Sequence, residues 1–291
     1  MYTDLLGKKR MKLGLHTHTN LSDGQKSPEQ AAEIYRKAGY DLIALTDHWI
    51  VSEEKVLSGL RTISGCEYNI GGNDTKKGVF HIVALGLQRD PGLSHDADPQ
   101  TIIDQITAAG GIAVLAHPAW SLNSVEQVKP LRGFAATEIY NTVSGMFQSD
   151  RAYSGAIIDL LANAGVILPL LATDDTHHYE GDEAYAYTML DVTDGRTDTP
   201  SILEKIKNGE FYSTQGPEIH LFRDEEGVRV LCSPVQKISF FSDDSWNATR
   251  VMRGEDLTEA VHVPKALSAW VRAEVTDQNG KQAFSNILRL K

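Results

Sequence analysis

The pattern of apolar and polar positions changes character near residue 210. Before it, short apolar runs alternate with segments of helical period. The runs near 12–16, 42–46, 62–66, 79–87, 112–116, 135–140 and 166–172 are rich in Leu, Ile, Val and Ala and too short for helices, so they predict buried strands. Ser27-Pro28-Glu29-Gln30 supplies a capping residue, a proline at the first helical position and a glutamine three residues after the cap, which predicts a helix ending at Gly39. Further helices are expected from Asp98 or Pro99 to Gly110, over 149–164 before Gly165, and over 199–209. The connection from His48 to Arg61 leaves room for only a small helix, and one more strand is expected near 184–191. Strands separated by helices predict an α/β fold.

After Gly209 the runs become short and closely spaced, near 211–214, 218–222, 228–232, 237–241, 266–275 and 283–290. Asp224-Glu225-Glu226-Gly227, Ser242-Asp243-Asp244-Ser245 and Asp277-Gln278-Asn279-Gly280 read as turns. This predicts a small all-β, sandwich-like unit beyond a junction at Gln215-Gly216-Pro217, dividing the chain into 1–211 and 212–291. His220 and His262 fall in the second unit and read as surface or packing residues.

The residues that end the apolar runs carry the chemistry. His16 and His18 are two apart, so on a strand their rings share one face. The next runs end in Asp47-His48, in Glu67, in His117-Pro118 and in Asp174-Asp175-Thr176-His177; Gly78-Val79-Phe80 runs into His81 before Ile82-Val83-Ala84-Leu85, and Asp23 sits in a Ser22-Asp23-Gly24 turn. Each has an ordinary explanation alone: a core histidine for His81, a strand end for His117, an ion pair for Glu67, a helix cap for Asp47 or Asp175. Recurrence at one end of successive strands, where α/β folds assemble sites, favours a metal centre. Imidazole and carboxylate donors without a required thiolate suit zinc, manganese or iron(II). Nine donors are too many for one ion, so two or three divalent metals are expected. Asp23, Glu67 and Asp175 would repel one another unless cations neutralised them. A surplus of positive charge would then attract phosphate and hold a hydroxide, because metal-bound water can have a pKa of about 7.

The segments His16-Thr17-His18-Thr19-Asn20-Leu21-Ser22-Asp23-Gly24, Thr46-Asp47-His48, Gly65-Cys66-Glu67, His81, Ala116-His117-Pro118 and Asp175-Thr176-His177 resemble, in the expected order across residues 12–177, the motifs of the PHP (polymerase and histidinol phosphatase) superfamily. The resemblance implies a distorted (β/α)7 barrel with a trinuclear metal centre at the C-terminal ends of its strands. It implies one metal on His16, His18, Glu67 and Asp175, a second reached by Glu67 and shared with His81 and His117, and a third on Asp23, His48 and His177. It also implies hydrolysis of phosphate esters. Two departures stand out: the family often has a small residue where Asp174 stands, and Trp120 follows His117-Pro118-Ala119. Asp175-Thr176-His177 keeps the one-residue spacing and is preferred to Asp174 as the ligand.

At 291 residues the chain can hold a barrel and a small domain, and its net charge of −11 argues against long nucleic acid as a partner. Two cysteines, Cys66 and Cys232, make no disulfide framework. With no signal-like N-terminus and no apolar run of about 18 residues, a soluble cytoplasmic protein without membrane contact is expected. The expected function is metal-dependent hydrolysis of a small phosphate ester, a phosphomonoester or short nucleotide, through a metal-bridging hydroxide. Glu67 would set the metal spacing, and Asp174 and His178 are candidates to protonate the leaving group. Trp120, Glu138 and Asn141 are candidates to line the substrate pocket. The alternatives are the same centre acting on a carboxylic ester, carbamate or amide, and a metal-bearing binding module without turnover.

Overall fold

The computed structural model describes residues 1–291. A two-residue strand β1 (Tyr2–Thr3) precedes β2 (Lys9–Gly14), α1 (Pro28–Lys37), β3 (Leu42–Ala44), β4 (Lys55–Leu57), β5 (Leu60–Ile63), β6 (Gly65–Ile70), β7 (Phe80–Leu85), α2 (Pro99–Ala108), β8 (Ile112–Leu115), α3 (Val125–Val128), β9 (Phe134–Asn141), α4 (Gly155–Asn163), β10 (Leu170–Thr173), β11 (Tyr187–Asp191) and α5 (Thr199–Asn208). The remainder is β: β12 (Phe211–Thr214), β13 (Ile219–Arg223), β14 (Val228–Ser242), β15 (Val251–His262), β16 (Trp270–Thr276), β17 (Gln282–Phe284) and β18 (Leu288–Arg289).

Helix boundaries follow local chemistry. Ser27 and Gln30 form a reciprocal capping box at α1 behind Pro28, and the Asp98 carboxylate accepts from the amides of Gln100 and Thr101 at α2. The expected helix over 149–164 begins only at Gly155. Ahead of it, a single π-helical turn (Ser144–Gln148) and a left-handed Asp150 carry the chain to Tyr153, which bridges back to Tyr140. The connection from His48 to Arg61 contains no helix; β4 and β5 form a hairpin around Ser58 and Gly59, both at positive φ.

The α/β part is built on two sheets. In one, β2, β3 and β5 run parallel, with β11 antiparallel against β2; the other has the order β10-β9-β8-β7-β6. Hydrogen-bonded ladders do not close these strands into one barrel. Single bridges, Thr17 to Thr176 and His48 to Glu67, join the sheets at the two seams. Side chains from both sheets nevertheless share one core, including Leu13, Leu42, Val83, Val114, Ala136 and Leu171, and α5 adds Ile202, Leu203 and Ile206 to it. No helix is long and apolar enough to cross a membrane.

Strand β7 corrects the expectation that every candidate donor ends its strand. It runs antiparallel to both β6 and β8, so His81, near its beginning, lies beside the end of β8 that leads to His117. The Ala116 amide donates to the His81 carbonyl at 3.0 Å, which fixes that proximity. The short connection 71–79 explains the direction: two parallel strands would need a longer crossover.

The C-terminal strands continue the first sheet without a break, in the order β11-β12-β17-β16-β14-β13. The two runs expected near 228–232 and 237–241 are one strand, β14, bent by register shifts between Leu231 and Lys237. Its partner β15 lies in a segment too polar to predict a strand, Arg253-Gly254-Glu255-Asp256, and most of its side chains face solvent. Arg272 of β16 ties this part to α4 through Asp159, with Nε–Oδ1 at 2.7 Å and Nη2–Oδ2 at 2.9 Å. Phe284 of β17 is fully buried against Ile139, Ile158, Leu170 and Ala172.

Because Phe284 completes a core whose other fully buried side chains all belong to the first 211 residues, Phe284→Ala should lower stability by about 3–5 kcal/mol in urea unfolding. Trp246→Ala, at a residue 71% exposed, should stay within about 0.5 kcal/mol of the parent.

Candidate metal centre

At the end of the sheets marked by the two seam bridges, the nine candidate donors converge. In the deepest group, His16, His18, Glu67 and Asp175 are all buried. His16 Nε2 lies 3.2 Å from His18 Nε2, 3.4 Å from Glu67 Oε2 and 3.1 Å from Asp175 Oδ1; His18 Nε2 lies 3.1 Å from each of those oxygens. A tetrahedral ion with bonds of about 2.0 Å places its donors about 3.3 Å apart, so these spacings fit a single metal. The second group shares the other oxygen of the same carboxylate: Glu67 Oε1 is 2.9 Å from His81 Nδ1 and 3.4 Å from His117 Nε2. The third is wider and more open. Asp23 Oδ1 lies 3.4 Å from both His18 Nδ1 and His177 Nε2, and Asp23 Oδ2 lies 3.6 Å from His48 Nε2.

The electrostatics fit cations as well as the spacing does. Burial disfavours the charged form of His16, but Asp175, Glu138 and Glu67 outweigh it and hold its pKa well above the ordinary imidazole value. Burial would likewise raise Glu67, yet His16, His81 and His48 hold it well below the ordinary carboxylate value. Without metal, protons must balance the buried carboxylates, and a divalent ion replaces several such protons at once. Asp175 Oδ1 is buried and makes no hydrogen bond, which leaves lone pairs free for an ion. His117 and Asp175 both sit at positive φ (24° and 54°), a strained backbone that aims their side chains inward.

A second layer of side chains fixes the donors. Glu138 Oε1 lies 2.7 Å from His16 Nδ1, while its Oε2 accepts from the His117 amide at 2.9 Å and from Asn141 Nδ2 at 2.8 Å. Asn141 also donates to Asp175 Oδ2 at 3.2 Å. Glu138 and Asn141 were expected to line the substrate pocket; both are buried behind His16 and Asp175, because the end of β9 packs beneath the donors. A carboxylate on His16 Nδ1 selects the tautomer whose Nε2 lone pair faces the cluster.

Asp174 also stands apart from the nine donors. Its carboxylate accepts from Tyr35 Oη (2.8 Å), Thr142 Oγ1 (3.0 Å) and the amides of Tyr185 (3.1 Å) and Ala186 (2.7 Å), and it pairs with none of the nine donors. Burial pushes its pKa up to about 7 despite those bonds. It braces β10 against α1 and the approach to β11. His178 does stand at the rim, half-buried, with Nδ1 3.5 Å from Gln25 Nε2 and its ring 4.5 Å from that of Phe147. Trp120 packs edge-on against His81 (5.1 Å) and His117 (5.0 Å), walling the second group.

Two positioning carboxylates were absent from the expected site. Asp47 accepts from the Thr19 and Ser22 amides (2.8 and 3.2 Å) and from their hydroxyls (both 2.7 Å), and so clamps the loop that presents Asp23. Asp182 accepts from the amides of His177 (2.8 Å) and His178 (2.9 Å). Asp47 carried a signal, its place beside His48; Asp182 carried none, since it acts through backbone amides.

Glu138→Gln should leave the far-UV circular dichroism unchanged and weaken metal binding by about 10–100-fold in a competitive chelator titration, because it removes only the carboxylate behind His16.

No family model matches the chain. The chain is 30% identical over 121 residues to the uncharacterized protein MJ1587 of Methanocaldococcus jannaschii, an alignment covering 37% of this chain and 68% of that protein. In fold it matches a two-domain protein of Bacteroides vulgatus containing a "predicted PHP-like metal-dependent phosphoesterase", with a TM-score of 0.55 at 17% identity over 99% of this chain and 98% of that one. An amidohydrolase from Chromobacterium violaceum with bound sulfate and no metal gives a TM-score of 0.44 at 14% identity over 68% of this chain and 96% of that one. The chain is thus a member of the same family as the M. jannaschii protein, and its fold is that of the PHP-like proteins.

Proposed function

We propose that the protein is a metal-dependent hydrolase of a small phosphate ester, working through two or three divalent ions, manganese, zinc or iron. The observation that carries this reading is the sharing of Glu67: its two oxygens face two separate sets of imidazoles, so ions held by those sets would lie close together. Bound ions of this kind polarise phosphoryl oxygens and make water nucleophilic at neutral pH. The likeness to the PHP-like fold supports the same chemistry. In this reading residues 1–211 form a distorted (β/α)7 barrel carrying the reaction, and 212–291 form the β unit.

The chain's own residues do the positioning. His16, His18, Glu67 and Asp175 form a buried floor, and His81 and His117 extend it beneath Trp120. The open side is that of Asp23, whose side chain is 52% exposed, with His48 and His177 beside it, so substrate enters there. A net charge of −11 repels long polyanions, which favours a small substrate held by the centre itself. We assign His178, beside Gln25, to hand a proton to the leaving oxygen. Glu67 and Glu138 act by fixing distance and tautomer, and the bonds holding Asp174 give it a bracing role.

His16→Ala and Asp175→Asn should each lower metal content and reduce turnover by about 10³-fold or more, with the fold kept. The substrate class is tested with chromogenic phosphate and carboxylic esters under manganese, zinc and iron(II). Phosphate release competitively inhibited by inorganic phosphate is the expected result. Turnover of acyl substrates alone would reject the phosphoesterase reading, and full metal loading with no turnover would reject the enzyme.

A further inference from the structure

A second polar site lies at the opposite end of the same strands. The beginnings of β2 and β10 border a cavity of about 810 Å³ that β12, β13 and the C-terminal residues close from the other side. Phe211, Leu221 and Ile287 give it apolar walls. Its charged lining is mostly basic, although the chain is acidic overall: Arg10, Lys207 and Arg289 are set against Glu210, while Lys8 is paired with Asp191 at 2.8 Å. Lys207 and Arg289 are exposed and form no ion pair.

Arg10 is the unusual group. Only 5% of it is exposed, and its Nε donates to Asp4 Oδ2 at 2.7 Å. Its guanidinium carbon lies 5.4 Å from the centre of the Tyr212 ring, its two terminal NH₂ groups make no hydrogen bond within the protein, and Arg10 lines the cavity. His220 is similar: it is 7% exposed, its Nε2 is held by Glu218 Oε1 at 2.6 Å, and it lines the cavity.

The trio Asp4, Glu218 and His220 has donor spacing close enough to suggest a further metal site. Its lone pairs are already committed. Asp4 accepts from Arg10 and from the amides of Leu6 (2.9 Å) and Lys8 (2.8 Å), and Glu218 accepts from Tyr2 Oη and the Leu5 amide, both at 2.6 Å. A metal ion would have to displace a buried guanidinium. Asp4 and Glu218 instead form a rigid mount that holds Arg10 and His220 in the wall of the cavity.

We infer that this cavity binds a small amphipathic oxyanion, its anionic head on Arg10 and its apolar body along Phe211 and Leu221. Lys207 and Arg289 at the mouth add attraction for the same charge, and unpaired donors on a buried guanidinium suit a carboxylate or phosphate edge. The site shares no residue with the metal centre, so the two readings stand or fall separately.

The test titrates the full chain with 8-anilinonaphthalene-1-sulfonate, an apolar body carrying a sulfonate, and follows its fluorescence. One saturable site is expected, displaced by octanoate and octyl phosphate but not by the uncharged octanol. Arg10→Met and the double variant Lys207→Glu/Arg289→Glu should each weaken binding by roughly tenfold. Unchanged affinity in the double variant, equal displacement by octanol, or no saturable binding would overturn the inference. Should near-UV circular dichroism show that Arg10→Met has lost its packing, the double variant decides, since both of its residues are exposed.

Discussion

Glu67 is a fully buried carboxylate whose two oxygens face five imidazoles. Oε2 lies within 3.4 Å of nitrogens of His16, His18 and His48, and Oε1 within 3.4 Å of His81 and His117. An ionised carboxylate at such a place is costly unless positive charge surrounds it. The seams of the fold serve this requirement. The His48–Glu67 bridge sets one flank, and the reversal of β7 brings His81 to the oxygen that no residue of the first sheet reaches. A parallel β7 would have placed His81 at the opposite end of the sheet.

Holding so many donors around one charge demands a rigid surround. Glu138, Asp47 and Asp182 supply it, each through at least two hydrogen bonds to a donor residue or to the backbone that presents one, and Asn141 adds one to Asp175. The left-handed backbone at His117 and Asp175 is strained and persists because these bonds over-determine it. The same design recurs at the other end of the strands, where Asp4 and Glu218 spend their lone pairs fixing Arg10 and His220. The C-terminal strands matter to both ends: they carry His220, and Phe284 fills the core beneath β9 and β10, the strands whose ends hold Glu138 and lead to Asp175.

Much of this was legible in the chain, and the reason is locality. His16 and His18 could be paired because side chains two apart on a strand share a face. The cap at Ser27, the stop at Gly39 and the apolar runs depend on neighbours a few residues away, and elements formed where those signals stand. The signals failed where a distant partner decides. Strand β15 is mostly polar and exists because β14 offers it hydrogen bonds, the hairpin of β4 and β5 occupies a stretch that suggested a small helix, and a bulge rather than a turn interrupts β14.

The sequence by itself determined the donor types, their order along the chain and the α/β-then-β succession of elements, because residue chemistry and short-range periodicity are written in it directly. Only the tertiary structure decided which way each side chain faces. It put Glu138 and Asn141 behind the donors, turned Asp174 toward Tyr35, left His178 at the rim, and set Arg10 in the wall of a cavity. Those orientations depend on strand direction and on packing between residues more than a hundred positions apart, and no local pattern encodes either.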